Sequence, residues 1–447
     1  MRKPQKPPSL HRHIPSPERF QQIAAMVPDH RSAYLHWDKL RRHPPPGDLS
    51  HEEWWFALKL HRSGAYQQIP LEDTQGRPFV YTEGANIPER LHRIDLGAGG
   101  TVSTPDPITN PETQERYYVS SLMEEAITSS QLEGAATTSQ IAKDMLRTGR
   151  PARDRSEQMI VNNYRTMRRL RGIKDQPLTL GLLLDIHQMV THDTLRDATA
   201  EGRFRTAEDG DIAVVDENGE LFHVPPSPAS LGPRIEKLCA FANGDTPGHF
   251  VHPAIRAIVV HFWLAYDHPF VDGNGRTARA LFYWSMLRHG YWLFEYISIS
   301  RILLRSRRNY SLAYLYTESD DNDLTYFIVH QLDVIHEAMG ALHEYLDRKG
   351  REVQALVSRL KGTRVLNHRQ RALIGHALRH PGQHYSVESH RHSHDVVKQT
   401  ARADLLDLGG RGLLEKTKIG RAWYFTAVSD LERRLRNAPG EFGDLTD

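Results

Sequence analysis

Cysteine is nearly absent from this 447-residue sequence, which contains only Cys239. A single cysteine excludes a disulfide framework and a zinc site built from several thiolates. No apolar run reaches the roughly 20 residues that span a bilayer, and the first residues lack the apolar centre of a secretory signal. The formal net charge of +2 is too small to indicate any class of partner. We therefore expect a cytoplasmic protein with no membrane partner.

Composition and hydrophobic periodicity divide the chain into four predicted parts. The first is mostly helical after a loose Pro-rich start, although turn-forming residues dominate from about 68 to 111. The second is a helical core, the third a charged linker, and the fourth three helices followed by two short strands. The predicted fold class is mainly α, with a small α+β domain at the end. The predicted bounds are 1–112, 113–345, 346–365 and 366–447.

One segment of the second part breaks the helical pattern. "DIAVVDENGELFHV" (211–224) is two apolar runs around Asn218-Gly219, before Pro225-Pro226. An Asn-Gly pair favours the positive φ values of a tight hairpin turn, so a β-hairpin is predicted. Helices are predicted on both sides of it, over about 117–132, 138–147, 156–171, 178–191, 230–243, 254–266, 277–289, 301–317 and 324–345.

The stretch "HPFVDGNGRTAR" (268–279) concentrates the residues of a phosphate site. Gly273 and Gly275 permit a close backbone approach to a ligand. They precede a helical pattern, and the free N–H groups of a helix N-terminus favour an anion. Arg276 and Arg279, three residues apart, would present two guanidinium groups to several phosphates. A single GNG or a pair of arginines usually has no such role, so the prediction depends on their combination.

Three further side chains of this stretch extend the prediction. Asp272 is acidic in a site suited to phosphates, which is typical of a shared Mg²⁺ ion. Asn274 has an amide that can donate to a phosphate oxygen, and His268 is the natural general base because histidine titrates near neutral pH. Phe270 is interpreted as an apolar anchor of the loop. We therefore predict a nucleotide phosphate site beside a base.

Two rival nucleotide motifs fit less well. Residues 273–278 match the pattern G-x-G-x-x-G/A, and Glu295 follows at about the right distance. That fingerprint requires a preceding strand, whereas residues 254–270 have a helical pattern. The sequence has no Gly-Lys dipeptide, which excludes a Walker-type loop.

The stretch 268–279 resembles the Fic family motif, H-x-F-x-D/E-G-N-G-R-x-x-R, at every fixed position. The resemblance extends over roughly residues 115–345 and implies a helical Fic core with a hairpin flap at 211–224. Fic proteins are mainly adenylyltransferases that move AMP from ATP onto a Ser, Thr or Tyr hydroxyl of a protein. The resemblance thus implies ATP as substrate, Mg²⁺, a target protein docked on the flap by strand addition, and a homodimer.

The resemblance also assigns a role to each matching position of the motif. His268 would accept the proton of the incoming hydroxyl, and Asp272 would hold Mg²⁺ against the α- and β-phosphates. Arg276 and Arg279 would bind the outer phosphates. The anion hole would be formed by Gly273, Asn274 and Gly275, with Asn274 on the α-phosphate.

A second short stretch, "SSQLEG" (129–134), ends a predicted helix over about 117–134. Ser129 and Glu133 are four residues apart and so share a helix face, and Gly134 fits a C-terminal glycine. The stretch also resembles the Fic inhibitory motif, S/T-x-x-x-E-G/N. In that family the glutamate pairs with the second motif arginine, here Arg279, and displaces the γ-phosphate. Some relatives use the same glutamate to remove AMP, and both roles stay open for Glu133.

The last part of the chain resembles a winged helix. Residues 361–447 contain 15 Lys/Arg and 10 Asp/Glu, a net charge of +5. Lys398, Arg402 and Arg421 are candidates for contact with DNA, although Asp404 and Asp407 lie on the same predicted helix. A protein-interaction module is the alternative. The nearby tract "HYSVESHRHSH" is interpreted as a solvated loop rather than a metal site.

Two function hypotheses of different classes follow. The first is a self-inhibited protein adenylyltransferase, with AMP removal or transfer of another phosphate-containing group as alternatives on the same fold. The second is a DNA-binding regulator whose Fic core senses a nucleotide. The presence of His268 favours the enzyme, since a sensor has no need of a base.

Overall fold

The computed structural model describes residues 2–9, 16–25, 34–99, 111–215, 219–362, 365–419 and 422–437. The chain divides into two compact units. The first unit comprises Met1–Val102 and Ser120–Met339, and the second comprises Ser103–Val119 and Gly340–Asp447. No helix of the described residues is long and apolar enough to cross a membrane.

The mainly α fold class is confirmed. We number the helices α1 to α18 in chain order and leave short 3-10 and π turns unnumbered. The first fourteen are α1 (Pro17–Ala25), α2 (Trp37–Leu40), α3 (His51–Ser63), α4 (Ile87–Ile94), α5 (Pro111–Leu132), α6 (Ser139–Thr148), α7 (Arg155–Ile173), α8 (Leu180–Thr191), α9 (Leu231–Asn243), α10 (Pro253–Asp267), α11 (Asn274–Arg288), α12 (Ile299–Arg305), α13 (Arg307–Ser319) and α14 (Thr325–Gly362).

The core of the first unit is built around α10 and α11. Almost every residue of these two helices is buried, polar ones included. A helix that is apolar all round is one that packs against neighbours on every side, and "AIVVHFWLAY" in α10 has that composition. The loop at 268–273 joins the two helices. The candidate phosphate stretch is thus fixed between the two most buried elements.

A hairpin near the N-terminal end was missed by the sequence analysis. Strands β1 (Gln67–Glu72) and β2 (Pro78–Tyr81) pair antiparallel, with Gln67 opposite Tyr81. Ile69 and Leu71 are buried, as are Phe79 and Tyr81, so each strand alternates with period two. Pro70 and Pro78 obscured that alternation, because proline argues against a strand interior.

The second predicted hairpin is confirmed. Strands β3 (Val214–Val215) and β4 (Leu221–His223) pair antiparallel, with Val214 opposite His223. Gly219 has φ = +79°, as a tight turn requires. The predicted turn residue Asn218 lies outside the described residues. The paired part is shorter than the predicted span 211–224.

Two predictions about helix limits were wrong. The single helix predicted over 301–317 is two helices, α12 and α13, which meet at Ser306. The predicted linker at 346–365 is helical as far as Gly362. Leu356 and Leu360 of that segment are buried in the core of the second unit. Charged residues dominate the composition there and obscured the helical spacing of the apolar ones.

The second unit contains the predicted three helices and two strands, with additions. They are α15 (His368–Arg379), α16 (Val387–His394), α17 (Lys398–Gly410), β6 (Leu414–Ile419) and β7 (Ala422–Ala427), with β5 (His384–Tyr385) and α18 (Leu431–Asn437) added. The sheet order is β5-β7-β6. The histidine-rich tract at 384–394, expected to be a loop, contains β5 and the whole of α16. Arg421 lies outside the described residues, and assignment to the winged-helix class stays a prediction.

Candidate active site

The loop between α10 and α11 has two residues with left-handed backbone. His268 ends α10 with φ = 45° and ψ = 54°, and Gly273 begins α11 with φ = 85°. A Cβ atom at Gly273 would lie 2.5 Å from Cγ2 of Thr191, so both the conformation and the packing require glycine. The sharp turn directs the first N–H groups of α11 away from the helix, where an anion can reach them.

Asn274 is used inside this loop. Its Oδ1 accepts a hydrogen bond from the Phe270 N–H at 3.0 Å, and its Nδ2 donates to the Phe270 carbonyl at 2.8 Å. The side-chain amide therefore holds the loop closed. Nδ2 has a second hydrogen beyond the one bonded to Phe270, and the contact of Asn274 with a phosphate stays a prediction.

Arg276 is a buried guanidinium with unused hydrogen-bonding capacity. Its side chain is fully buried, and Nη1 donates to the Val190 carbonyl at 2.9 Å. Nη2 lies 3.7 Å from Oδ1 of Asp272. Neither Nε nor Nη2 has a hydrogen-bond partner among the described residues. A buried polar group without a partner is costly, and burial lowers the pKa of Arg276. A bound anion would supply the missing acceptors.

Ser129 and Glu133 both contact Arg279, the arginine with which the resemblance to the inhibitory motif pairs Glu133. Arg279 Nε donates to Ser129 Oγ at 2.8 Å, and Nη2 donates to the Ser129 carbonyl at 3.0 Å and to Glu133 Oε1 at 2.9 Å. Burial lowers the pKa of Arg279, but the Glu133 carboxylate reverses this and the net direction is upward. The second motif arginine is thus fully engaged by the end of α5.

The Glu133 carboxylate lies directly against the start of α11. A Cβ atom at Gly275 would lie 2.1 Å from Glu133 Oε1, so no other residue fits there without displacing the carboxylate. Gly134, with φ = +92°, turns the chain away immediately after Glu133. A negative charge therefore stands where the helix N-terminus favours an anion.

His268 is half-buried at the mouth of the loop. Its Nδ1 lies 3.3 Å from the Ala265 carbonyl, so we assign the proton to Nδ1 and leave Nε2 as an acceptor. Burial lowers the pKa of His268 to about 4. At neutral pH the ring is uncharged and can accept a proton.

Asp272 is the most exposed acidic group of the loop, with 41% of its side chain accessible. Its Oδ2 is 2.8 Å from Nη2 of Arg155, and its Oδ1 accepts from the Gly273 N–H. Magnesium in nucleotide sites takes one or two carboxylates together with phosphate oxygens. An accessible carboxylate beside the N-terminus of α11 fits that donor set.

Two buried side chains outside the motif hold the loop, and the sequence analysis missed both. The His187 ring stacks on Phe270 at 3.7 Å, its Nδ1 accepts from the Gly202 N–H, and its Nε2 donates to the Asp272 carbonyl at 2.9 Å. Arg205 Nε donates to the His268 carbonyl at 2.8 Å. Both lie more than 60 residues upstream of the motif, where no local pattern identifies them.

The hairpin is attached to α10 beside the motif. His223 of β4 contacts the Tyr266 carbonyl through Nε2 and Glu318 through Nδ1, both at 2.7 Å. Burial lowers the pKa of His223, but the hydrogen bond to Glu318 raises it and the net direction is upward. Val215 and Leu221 are exposed, at 53% and 43%. The base of the hairpin is fixed while its apolar edge faces solvent.

Comparison with known proteins gives consistent matches. A sequence model of the Fic/DOC family matches residues 177–286, which contain the whole motif. A protein adenylyltransferase Fic from Culex quinquefasciatus is 33% identical over 118 residues, covering 26% of this chain and 21% of that protein. One from Drosophila mojavensis is 24% identical over 277 residues, covering 61% and 51%. The chain thus spans between a fifth and a half of the length of these relatives.

Among solved structures, a Fic family protein from Desulfovibrio desulfuricans G20 matches with a TM-score of 0.48 and 16% identity. The match covers 77% of this chain and 95% of that one. Residues 177–286 of this chain, with the whole motif at 268–279, are therefore similar to the Fic/DOC family.

Proposed function

We propose that this chain is a self-inhibited protein adenylyltransferase, which moves AMP from ATP to a Ser, Thr or Tyr hydroxyl and releases pyrophosphate. One observation carries the proposal. The loop at 268–273 sets an uncharged His268, an accessible Asp272 carboxylate and a buried Arg276 with two unbonded nitrogens around one helix N-terminus. The similar proteins from Culex quinquefasciatus and Drosophila mojavensis, both named protein adenylyltransferase Fic, support the same activity.

The proposed step needs few protein groups. The hydroxyl proton moves to Nε2 of His268, and the hydroxyl oxygen bonds to the α-phosphorus. The bond from that phosphorus to the oxygen bridging to the β-phosphate breaks, and pyrophosphate leaves. Arg276 and the N–H groups of α11 stabilise the negative charge that develops on the phosphates. A Mg²⁺ ion held by Asp272 would supply further neutralisation when bound.

Glu133 accounts for self-inhibition in this proposal. Arg279 is the guanidinium placed one turn beyond Arg276, and both it and the space above Gly275 are occupied by the Glu133 carboxylate. A γ-phosphate would meet a like charge there, and like charges at close range repel strongly in a site of low dielectric. ATP would therefore bind poorly or in an unproductive pose.

The target segment is proposed to dock on the hairpin. The exposed edge residues Val215 and Leu221 offer an apolar surface, and an added strand would pair with the main chain in register. Because His223 fixes the base of the hairpin to α10, the docked hydroxyl would be held near His268.

Labelled transfer tests the proposal. Purified protein would be incubated with α-labelled ATP, Mg²⁺ and cell lysate, using wild type, Glu133→Gly, His268→Ala and the double variant. We expect strong protein labelling with Glu133→Gly alone, and loss of about 10²- to 10⁴-fold when His268→Ala is added. Measurable ATP binding with no labelling by any form would contradict transfer. Loss of label from a pre-modified target would instead indicate AMP removal. Labelling from another phosphate-containing donor would indicate that a different group is transferred.

DNA binding by the second unit is a second proposal, favoured by where its acidic residues lie. Asp404 is buried, 2.7 Å from Arg369 and 3.2 Å from His390. It therefore does not offset the exposed Lys398 and Arg402 of α17. The presence of Asp404 on α17 is therefore no argument against DNA binding by that helix.

The strands of this unit add a basic aromatic face. Lys416 lies 4.3 Å and Lys418 5.9 Å from the ring centre of Trp423, which is 49% exposed. Lysines and an exposed aromatic ring on one ribbon fit a nucleic-acid backbone. Mobility shifts with genomic fragments would test this, and Lys398→Ala with Arg402→Ala should weaken binding and reduce its salt dependence. Unchanged binding would contradict a role for α17.

A further inference from the structure

A second anion site is indicated on the first unit by a pocket of about 240 Å³. Its walls are residues 2 and 3, residues 38–42 in and just after helix α2, and residues 308–316 of α13. Five cationic side chains line it: Arg2, Lys3, Lys39, Arg42 and Arg308. None of these residues belongs to the Fic motif or to the inhibitory stretch.

The charges in this pocket are not balanced by the protein. Asp38 is its one acidic lining residue, and its oxygens already accept from Arg42 at 2.9 Å and from the Gln5 N–H at 3.1 Å. Lys39 and Arg308 form no ion pair with any described residue. All five cationic side chains are exposed, so solvent screens part of their mutual repulsion, and the remainder disfavours gathering them around one cavity. A bound anion would offset that cost.

The position of Arg308 adds to the imbalance. Arg308 stands in the first turn of α13, whose N-cap Ser306 makes no side-chain capping bond. Cations near a helix N-terminus oppose the helix dipole, whereas anions are favoured there. Leu312 and Tyr316 continue the same face of the helix at four-residue spacing and also line the pocket. The pocket thus combines clustered cations, a helix N-terminus and an aromatic wall.

We propose that this pocket binds a small anion that carries several phosphate groups. Its volume of about 240 Å³ is below the roughly 300–1,000 Å³ of pockets for drug-sized ligands, so the ligand is compact. Guanidinium groups pair bidentately with phosphate oxygens, and lysine adds point charges, which together favour a multiply charged ligand. The terminal groups of a nucleotide and free pyrophosphate share this chemistry.

Calorimetric titration of full-length protein with pyrophosphate tests the proposal. Lys39→Glu with Arg308→Glu reverses two charges inside the pocket. The matched control, Arg168→Glu with Arg169→Glu, makes the same charge change on the exposed face of α7. In the pocket variant, we expect the affinity of one pyrophosphate-binding component to fall by about tenfold or more. In the control variant, that affinity should be unchanged. Pyrophosphate binding at the 268–279 motif would persist in both variants.

Equal pyrophosphate binding by the pocket variant and wild type would overturn the proposal, as would an equal loss in the control. Thermal unfolding would check that each variant folds, and Lys39→Gln with Arg308→Gln replaces the pocket variant if it does not. A parallel titration with ADP separates the sources. Tighter binding of ADP than of pyrophosphate at the same component assigns a nucleotide, and equal or weaker binding assigns the free oligophosphate.

Discussion

Glu125 of α5 and Glu133, the residue that follows the end of α5, are eight positions apart and have different surroundings. Glu125 is 2% exposed and accepts hydrogen bonds from the Tyr283 hydroxyl at 2.9 Å, the Ser298 hydroxyl at 2.8 Å and the Ser300 N–H at 3.1 Å. Each donor belongs to α11 or to the start of α12. The carboxylate therefore joins three helices inside the core.

Glu133 is much more exposed than Glu125 and makes fewer contacts. Its side chain is 29% exposed, it follows the last residue of α5, and its bond to Arg279 is a single contact of 2.9 Å. A half-exposed contact at a helix end can break without opening the core, because local opening is easiest where few buried contacts are lost. Under the proposed function, Glu125 keeps α5 anchored in the core while Glu133, just beyond its last turn, acts as a removable inhibitor.

The largest expected effect is on stability at the anchor. Glu125→Ala leaves several buried donors without an acceptor, so we expect the free energy of unfolding to fall by about 3 kcal/mol. Chemical denaturation would measure it. The control is Glu124→Ala at the adjacent position, which is partly exposed and pairs with Lys143. Glu124→Ala should change the free energy of unfolding by less than about 1 kcal/mol. Equal losses for the two variants would show that Glu125 is not a special anchor of the core.

A smaller effect is expected from the hydroxyl beside Glu133. Ser129→Ala removes the acceptor of Arg279 Nε but keeps the backbone carbonyl contact. We expect the inhibited state to weaken and AMP transfer to rise by about threefold to tenfold. Ser130→Ala is the matched control, because Ser130 Oγ bonds within α5 to the Ala126 carbonyl. A rise in both variants would indicate a general loosening of the helix.

The smallest effect is expected from pH. Since burial lowers the pKa of His268 to about 4, the proton-accepting form persists as pH falls from 8 to 5.5. Transfer by Glu133→Gly should then change by less than about twofold from this group. A histidine with the ordinary pKa of about 6.5 would lose roughly tenfold by pH 5.5. A pH–rate profile with an inflection near 6.5 would contradict the assignment.

The sequence predicts the residues of the candidate site better than it predicts the residues that hold the loop at 268–273 in place. His268, Asp272, Arg276 and Arg279 lie within one contiguous stretch, so spacing alone brings them together. Glu133 was placed through the resemblance of "SSQLEG" to a family motif. His187 and Arg205 fix the loop through backbone carbonyls, and a hydrogen bond to a carbonyl leaves no mark on the partner's residue type.

Fold predictions failed where composition opposed periodicity. The β1–β2 hairpin carries proline in both strands, and the second half of α14 is so charged that it was interpreted as a linker. In α14 the decisive contacts are those of Leu356 and Leu360 with the core of the second unit, and such tertiary packing overrides local composition.

The most direct test of the contrast between the two glutamates is to measure AMP transfer and unfolding free energy on the same Glu133→Gly protein. We expect transfer to rise by about 10- to 100-fold, within the usual range of coupling energies. The free energy of unfolding should fall by no more than about 1.5 kcal/mol, because the buried Arg279 loses one hydrogen bond and keeps its two bonds to Ser129. A loss of about 3 kcal/mol with no gain in transfer would contradict this account. Glu133 would then be a structural anchor like Glu125, and not a removable inhibitor.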